Sequence, residues 1–305
     1  MFSAQDNRRK RKILRRKYKE WMWAMFFIGP TAIGLYLFII GPIFYAFYIS
    51  MTQWTGLTPP VFVGLDNYVR MMSDPTIFRE IRNTLLFVII GVPITISASL
   101  LVALMLCAKI PARGFFRTAI FIPWVTLPAA AALVFSNLFN IRFGMVNGFL
   151  RMLGLPVVDW LGSGSSVMGI IIGMGVWGSI GYYSIILMVG IKNLPGSYFE
   201  AAMIDGANRR QTFFGITVPL LTPQLFFVTT MCMIGTFGLF DSIVVFGTSV
   251  TIRDGIRTLA FGIYERGFTM MQLGYASANA TLLFLLVMFV TILQFLGQKY
   301  WVHYE

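Results

Sequence analysis

Few residues in this 305-residue chain have types and spacings that suit chemistry. Asp241 is the one clear acid inside a long apolar run, where an ionisable side chain suits a proton or cation relay, since burying its charge costs roughly 2.5–3.5 kcal/mol on insertion scales. It lies about eight residues beyond the middle of that run, roughly 12 Å toward one membrane face at 1.5 Å per residue. Water reaches that depth, so a relay and a plain structural hydrogen bond both fit. His303 is the single histidine, and a lone imidazole in a tail supplies neither a His-based metal site nor a Ser–His pair. No GxxxxGK[ST] run occurs, which excludes a Walker A nucleotide loop. Cys107 and Cys232 fall in apolar runs and read as small packing residues rather than a disulfide framework.

The other stretch able to act is Glu200–Pro223, EAAMIDGANRRQTFFGITVPLLTP, a polar run between two apolar ones. Ahead of it, Lys192-Asn193-Leu194-Pro195-Gly196 combines a cation, a proline and a glycine, the ingredients of a helix stop. Ser197 stands three residues before Glu200, the capping-box spacing. That predicts a short helix over about 198–204, closed by Asp205-Gly206, where glycine accepts left-handed backbone. Asn208 and Gln211 repeat the spacing and predict a second short helix that ends before Pro219. Thr222-Pro223 predicts a cap and first turn for the next apolar segment. On the first helix Tyr198, Ala201, Ala202 and Asp205 share one side, and the paired alanines let another backbone approach closely. Such a helix has the shape of a plug for a groove.

The elements that must position these residues are membrane spans. The chain is 57% hydrophobic and 12% charged, against roughly 45–50% and about 25% in soluble domains. Apolar runs at about 22–49, 85–108, 116–139, 167–190, 221–246 and 277–298 are each long enough to cross the hydrocarbon core. The net charge of +12 does not point to nucleic acid, because nine of the 24 basic residues crowd the first twenty positions, before the first span. Threading six spans from that end puts sixteen basic residues on the N-terminal side and eight on the other. The positive-inside rule then places both termini and the Glu200 loop in the cytoplasm. A signal peptide is the rival reading, but its apolar core would be shorter and would end at a small-residue cleavage site.

The segments between spans carry weaker signals. In the outer loop of about 50–84, Asp66 can cap a short helix whose Tyr68, Met71 and Met72 share a face, resting on the membrane interface, on a partner or on the chain's own spans. The second outer loop, about 140–166, carries Trp160 and reads as ending in a flexible Gly-Ser-Gly-Ser-Ser tail. Pro123 and Pro128 fall within the third span and are tolerated where neighbours re-satisfy the freed carbonyls. Gly169 and Gly173 in the fourth form a GxxxG pattern for close helix packing. The third outer loop, about 247–276, reads as short and charged.

Glu200-Ala201-Ala202, Asp205-Gly206-Ala207 and Ile216-x-x-Pro219 together resemble the EAA loop of permease subunits from bacterial ABC importers. The continuation from Phe213 to Pro223 is similar to the carbohydrate-uptake branch related to the maltose permease. Gly64-Leu65-Asp66-Asn67-Tyr68, Asn83-Thr84, Phe116-Arg117-Thr118 with Pro123, Trp160-Leu161, Trp177 and Leu273-Gly274-Tyr275-Ala276-Ser277-Ala278 extend the resemblance along nearly the whole chain after the first span. The resemblance implies an all-α integral membrane protein of six transmembrane helices with the type I ABC importer permease fold, multi-pass in the bacterial cytoplasmic (inner) membrane. A basic arm, residues 1–21, would precede a permease domain, residues 22–305, with the coupling loop at 192–222.

By the same resemblance the loop helix docks in a groove of a cytoplasmic ATPase. Glu200 would make polar contacts there, Ala201 and Ala202 would permit close docking, Gly206 would allow the bend, and Asp205 and Ala207 belong to the same motif. The family's sugar site lies on the flanking helices, which maps to Gly175, Gly178, Ser179, Tyr182, Leu239 and Ser242, with Asp241 beside them. The implied partners are a second homologous permease subunit, two ATPase subunits, an extracellular solute-binding protein and the lipid bilayer, with no nucleic acid. No catalytic residue, metal or cofactor is expected on this chain, since ATP and magnesium would sit on the ATPases. Two positions depart from the family pattern. A Thr-x-Gly-Gly-Pro turn is replaced by Gly247-Thr248-Ser249-Val250-Thr251-Ile252, and the span-five positions carry no amide to grip sugar hydroxyls. Two alternatives stay open on the sequence: an ion-coupled secondary carrier built on Asp241, and an importer of glycerol-phosphate or polyamine.

Overall fold

The computed structural model describes residues 17–108, 111–247 and 249–302 in full and residues 2–16 by their backbone. His303, Lys109 and Thr248 lie outside the described residues. The first rod joins α1 (Phe2–Leu35), a π-helical turn (Tyr36–Ile40) and α2 (Gly41–Ser50). A two-residue hairpin, β1 (Thr52–Gln53) with β2 (Val61–Phe62), pairs Thr52 with Phe62. After α3 (Asp66–Met72) comes α4 (Pro75–Cys107), then α5 (Arg113–Val125), α6 (Pro128–Leu138), α7 (Met145–Met152) and α8 (Gly164–Lys192).

Four helices are long and apolar enough to cross a membrane unbroken: Lys17–Ser50, Pro75–Cys107, Gly164–Lys192 and Leu273–Trp301. The third crossing, expected as a continuous helix, is bent instead. Between α5 and α6 the chain turns by 98°. Its cause is Pro128, whose ring disfavours helical backbone at the residue before it, and Leu127 is extended, at φ −61° and ψ 124°. Pro123, by contrast, stays inside α5.

The fifth crossing is built from α10 (Arg209–Thr212), a π-helical turn (Phe213–Thr217) and α11 (Val218–Leu220), then α12 (Thr222–Phe237) after a 66° bend. Pro219 therefore does not end the helix before it. The widened π turn just ahead is where the missing N–H and the bulk of the ring are absorbed. Thr222 is not a cap either, since its hydroxyl donates to the Pro219 carbonyl at 2.7 Å and the cap position is Leu221.

Beyond Gly238 the chain resumes as α13 (Asp241–Phe246), followed by α14 (Val250–Ile256), α15 (Leu259–Tyr264), a π-helical turn (Glu265–Thr269) and α16 (Leu273–Trp301). The stretch read as a short charged loop is thus a helical segment folded back onto α4, α8 and α16. The second span starts ten residues earlier than expected. The Asp74 carboxylate accepts the Thr76 N–H at 2.9 Å with Pro75 at the first helical position, so α4 begins there.

Packing centres on α4 against α8, with α12 on α4, α5 on α8 and α2 on α16. One end of the bundle, here the near end, gathers Phe87, Ile171, Ile243, Ile256 and Phe261 in one core cluster. Toward the far end, Val92, Leu106, Leu187, Leu221 and Val228 form another. The GxxxG glycines do not make the close contact, because a Cβ on Gly169 or Gly173 would meet nothing. Gly181 makes it: a Cβ there would overlap the Ile120 carbonyl of α5.

Three smaller expectations change as well. Asp66 is the first helical residue of α3, with Leu65 at the cap position. Within α3, Tyr68 and Met71 pack on α4 and α16, whereas Met72 is exposed. The Gly-Ser tail is ordered, since Ser163 caps α8 and Gly164 packs on the Gly255 backbone. Along the first rod, Trp21, Phe26, Phe38 and Phe44 are exposed, an apolar face that suits lipid.

Candidate functional site

The first part of the site is the loop between α8 and α12. Here α9 (Gly196–Ile204) starts on Pro195 with no side-chain cap, so the Ser197–Glu200 capping box does not form. Its C-terminus closes as expected, with Gly206 at φ +73°. The Ala207 N–H donates to Ala202 O at 2.9 Å and the Gly206 N–H to Met203 O at 3.2 Å, the paired bonds of a Schellman motif. The second capping box does form: the Asn208 side chain accepts the Gln211 N–H at 3.0 Å, and Gln211 accepts the Asn208 N–H at 2.8 Å.

The exposed face of α9 differs from the expected one. Ala202 is the buried residue of α9, turned toward its own chain, whereas Ala201 and Glu200 are exposed. Met203 and Ile204 stand 70% and 87% exposed, with Tyr198 at 46%. The sequence reading missed both, although an apolar pair outside the alanine face was visible in it. Asp205 and Gly206 are exposed beside them, and Ala207 is half-buried. A short helix that leaves its large apolar side chains in the open, pinned at its C-terminus, is a surface waiting for a groove.

The second part is a cavity of about 400 Å³ between α4, α5, α6, α8 and α12. Of the pathway residues named from the sequence, Gly175, Gly178, Ser179, Leu239 and Ser242 line it together. Tyr182 lies behind the wall, stacked on Trp124 at 4.3 Å between ring centres, and the lining residue is Trp124. Asp241 is not in the lining. It is exposed at the first position of α13, because α12 ends at Phe237 and the fifth span never reaches it.

The cavity offers rings and hydroxyls. Trp124 and Trp177 contribute indoles, and Thr95, Thr126, Ser179, Tyr183, Thr236 and Ser242 contribute hydroxyls. No described lining residue is charged or an amide. Some hydroxyls donate back into their own helices, Ser179 to Gly175 O at 2.6 Å and Thr236 to Cys232 O at 2.8 Å. Both α8 and α12, the helices that flank the Glu200 loop, form its walls. From Tyr183 to the end of α8 is only about 14 Å at 1.5 Å per residue.

The third part was invisible in the sequence. At the near end, Glu80 of α4 is fully buried and accepts Arg266 Nη1 on both oxygens at 2.9 Å and Arg257 Nε at 2.7 Å. Arg257 also pairs with Glu265, and Arg253 Nη1 lies 3.5 Å from Glu265. Arg266 reaches Asp74 at 3.8 Å. Burial pushes the Asp74 carboxyl upward, but the Thr76 N–H, the Tyr275 hydroxyl at 3.0 Å and the Arg266 charge outweigh it and hold it below the usual carboxylate range. These partners are separated by up to 201 residues, so no local pattern announces them.

Comparison with known proteins identifies the family of the chain. Residues 68–299 match the family described as binding-protein-dependent transport system inner membrane component. The chain is 33% identical to the probable ABC transporter permease protein YesP of Bacillus subtilis over 92% of this chain and 91% of that one. It is 32% identical to the trehalose/maltose transport system permease protein MalF of Thermococcus litoralis over 90% and 93%. A crystal structure of a bacterial alginate ABC transporter, in complex with an alginate pentasaccharide-bound periplasmic protein, contains a chain that superposes with a TM-score of 0.81. That chain is 20% identical, over 94% of this chain and 96% of its own length.

Proposed function

The chain belongs to the inner membrane components of binding-protein-dependent transport systems, and from that premise we propose that it is the translocation subunit of an ABC importer for an uncharged sugar or oligosaccharide. The observation that carries this reading is α9. It is an exposed apolar helix held by a Schellman turn between the two helices that wall the cavity. A groove that grips Tyr198, Met203 and Ile204, with polar contacts to Glu200, moves α8 and α12 together. The ATPases supply that groove, and ATP and magnesium bind there rather than on this chain. A second, homologous permease completes the cavity wall, and an external binding protein delivers the substrate.

The orientation follows from charge. Arg113, Arg117, Lys192, Arg209, Arg210 and Lys299 all lie toward the α9 end. The near end carries eight basic residues, Arg70, Arg79, Arg82, Arg142, Arg151, Arg253, Arg257 and Arg266, half the sixteen that six spans leave on the other side. The α9 end and both termini are cytoplasmic in this reading, with residues 1–21 as a basic inner arm.

The lining supports an uncharged cargo. A phosphate or an ammonium in this cavity would lose water and find no counter-charge, a desolvation that indoles and hydroxyls do not offset. A sugar presents apolar faces for the indoles and hydroxyls for the hydroxyls of the lining. This argues against glycerol-phosphate and polyamine. An ion-coupled carrier has no support from Asp241, which is exposed and outside the lining. Uptake of radiolabelled neutral and acidic oligosaccharides into vesicles holding the complete importer tests the reading. It predicts transport of neutral species only with internal ATP, and an ion gradient sufficing without ATP would overturn it.

A further inference from the structure

The ionic cluster at the near end lies apart from both the loop and the cavity, yet it fastens the segment that covers the cavity. Leu239 and Ser242 form the near-end wall of the cavity. The chain that continues from them packs Ile243, Ile256 and Phe261 against Phe87 and Ile171, and Thr258 donates back to Leu239 O at 2.8 Å. We propose that Glu80, Arg257, Glu265 and Arg266 form an ionic latch that clamps the Asp241–Thr269 segment over the near end of the cavity and is broken and remade each time that end opens.

Three observations carry this. Among the described residues, every hydrogen bond between the segment and α4 uses a side chain: Glu80 with Arg257 and Arg266, Arg79 with Asp254, Asn83 Nδ2 to Asp254 O and Arg257 O at 3.1 Å, and the Leu259 N–H to Thr84 Oγ1 at 3.0 Å. Side-chain contacts of this kind exchange with water one at a time, unlike a backbone ladder. The cluster is also balanced in charge, with Asp74, Glu80 and Glu265 against Arg253, Arg257 and Arg266. Closing gives each ion a partner and opening gives each ion water, so neither state strands a charge. A permanent seam needs none of this, because packed apolar side chains hold a static contact as well or better. Finally, Gly262 sits where any side chain would overlap the Glu80 carboxylate and Arg266 Nη1, so α15 comes close enough to seat the latch only through a glycine.

The test uses the full chain in its assembled importer, with Cys107→Ser leaving Cys232 of the cavity wall as the reporter. A membrane-impermeant maleimide is applied from the face opposite the Glu200 loop. Glu80→Gln leaves the arginines in excess, and the latch predicts Cys232 labelling faster by at least about tenfold. Adding Arg266→Gln restores the balance and should return labelling to within about threefold of the starting protein. Unchanged labelling in Glu80→Gln, or a double variant faster than the single, overturns the latch. If Glu80→Gln does not reach the membrane, Thr84→Cys with Leu259→Cys decides: the oxidised pair must stop uptake and the reduced pair restore it, and full uptake while oxidised overturns the proposal. The labelling readout needs no transport, so failure of the latch is distinguishable from failure of the importer reading on which the opening motion rests.

Discussion

Arg266 sets one guanidinium nitrogen 2.9 Å from both oxygens of Glu80, although 186 residues separate them in the chain. The pair joins the first turns of α4 to the π-helical turn ahead of α16, with Glu80 fully buried and Arg266 4% exposed. Arg266→Met leaves a buried carboxylate with Arg257 as its one remaining charged partner and Asn279 as a distant amide donor at 3.5 Å, a change that typically destabilises by roughly 3–5 kcal/mol. Thermal unfolding of the detergent-solubilised chain should show a clear loss for Arg266→Met and a smaller one for the charge-balanced Glu80→Gln, Arg266→Met double variant. A double variant less stable than either single would contradict the assignment.

Ile204 stands in the open with no role in its own fold. Ile204→Asp should therefore leave the unfolding temperature unchanged, within about 0.5 kcal/mol of stability. Its effect should fall on assembly: co-purification of an ATPase subunit with the permease drops by about tenfold or more, as expected when a buried apolar anchor becomes a charge. Undiminished co-purification would remove α9 as the docking helix.

Glycine substitutions separate packing from pattern. Gly181→Ala drives a methyl group into the Ile120 carbonyl and should destabilise by roughly 1–3 kcal/mol through overpacking. Gly169→Ala and Gly173→Ala meet open space and, in helix α8, should be neutral or slightly stabilising. Unfolding midpoints of the three variants check this directly.

The Asp74 carboxyl is held below its ordinary range by the Thr76 N–H, the Tyr275 hydroxyl and Arg266. A depressed folded value stabilises the fold above the unfolded carboxylate pKa, near about 4, and that contribution is lost as pH falls through the folded value. Asp74→Asn should accordingly be less stable than the parent at neutral pH, with the gap constant down to about pH 5 and shrinking below about pH 4. A gap that widened on acidification would reverse the sign.

The readings that held all rest on local signals, although not every local signal held. The six apolar stretches, the Gly206 turn and the Asn208–Gln211 box each depend on residues within one or two turns of one another, and those spacings are written in the chain. Pro128 was equally visible, but whether a membrane proline kinks, bends or passes depends on what surrounds it, and Pro128 breaks a helix while Pro123 and Pro219 do not. Asp241 was misplaced because its apolar run continues past Gly238 without a change in composition, so the end of α12 left no mark. Glu80 made the opposite error: a charged patch looked like the end of a span, yet α4 runs straight through it because its counter-charges arrive from 177 and 186 residues away. Ser197 failed as a cap since Pro195 already supplies the extended entry to α9.

The central claim is that the Glu200 loop couples this chain to an external motor. Vesicles holding the complete importer, loaded with ATP and supplied with a neutral oligosaccharide on its binding protein, measure it through the Gly206→Val and Glu200→Lys variants. Gly206 holds left-handed backbone at φ +73°, which a β-branched residue adopts only with strain of about 1–2 kcal/mol. The account predicts normal membrane levels with uptake lost in Gly206→Val and strongly reduced in Glu200→Lys. Uptake at the parental rate in both variants would contradict it.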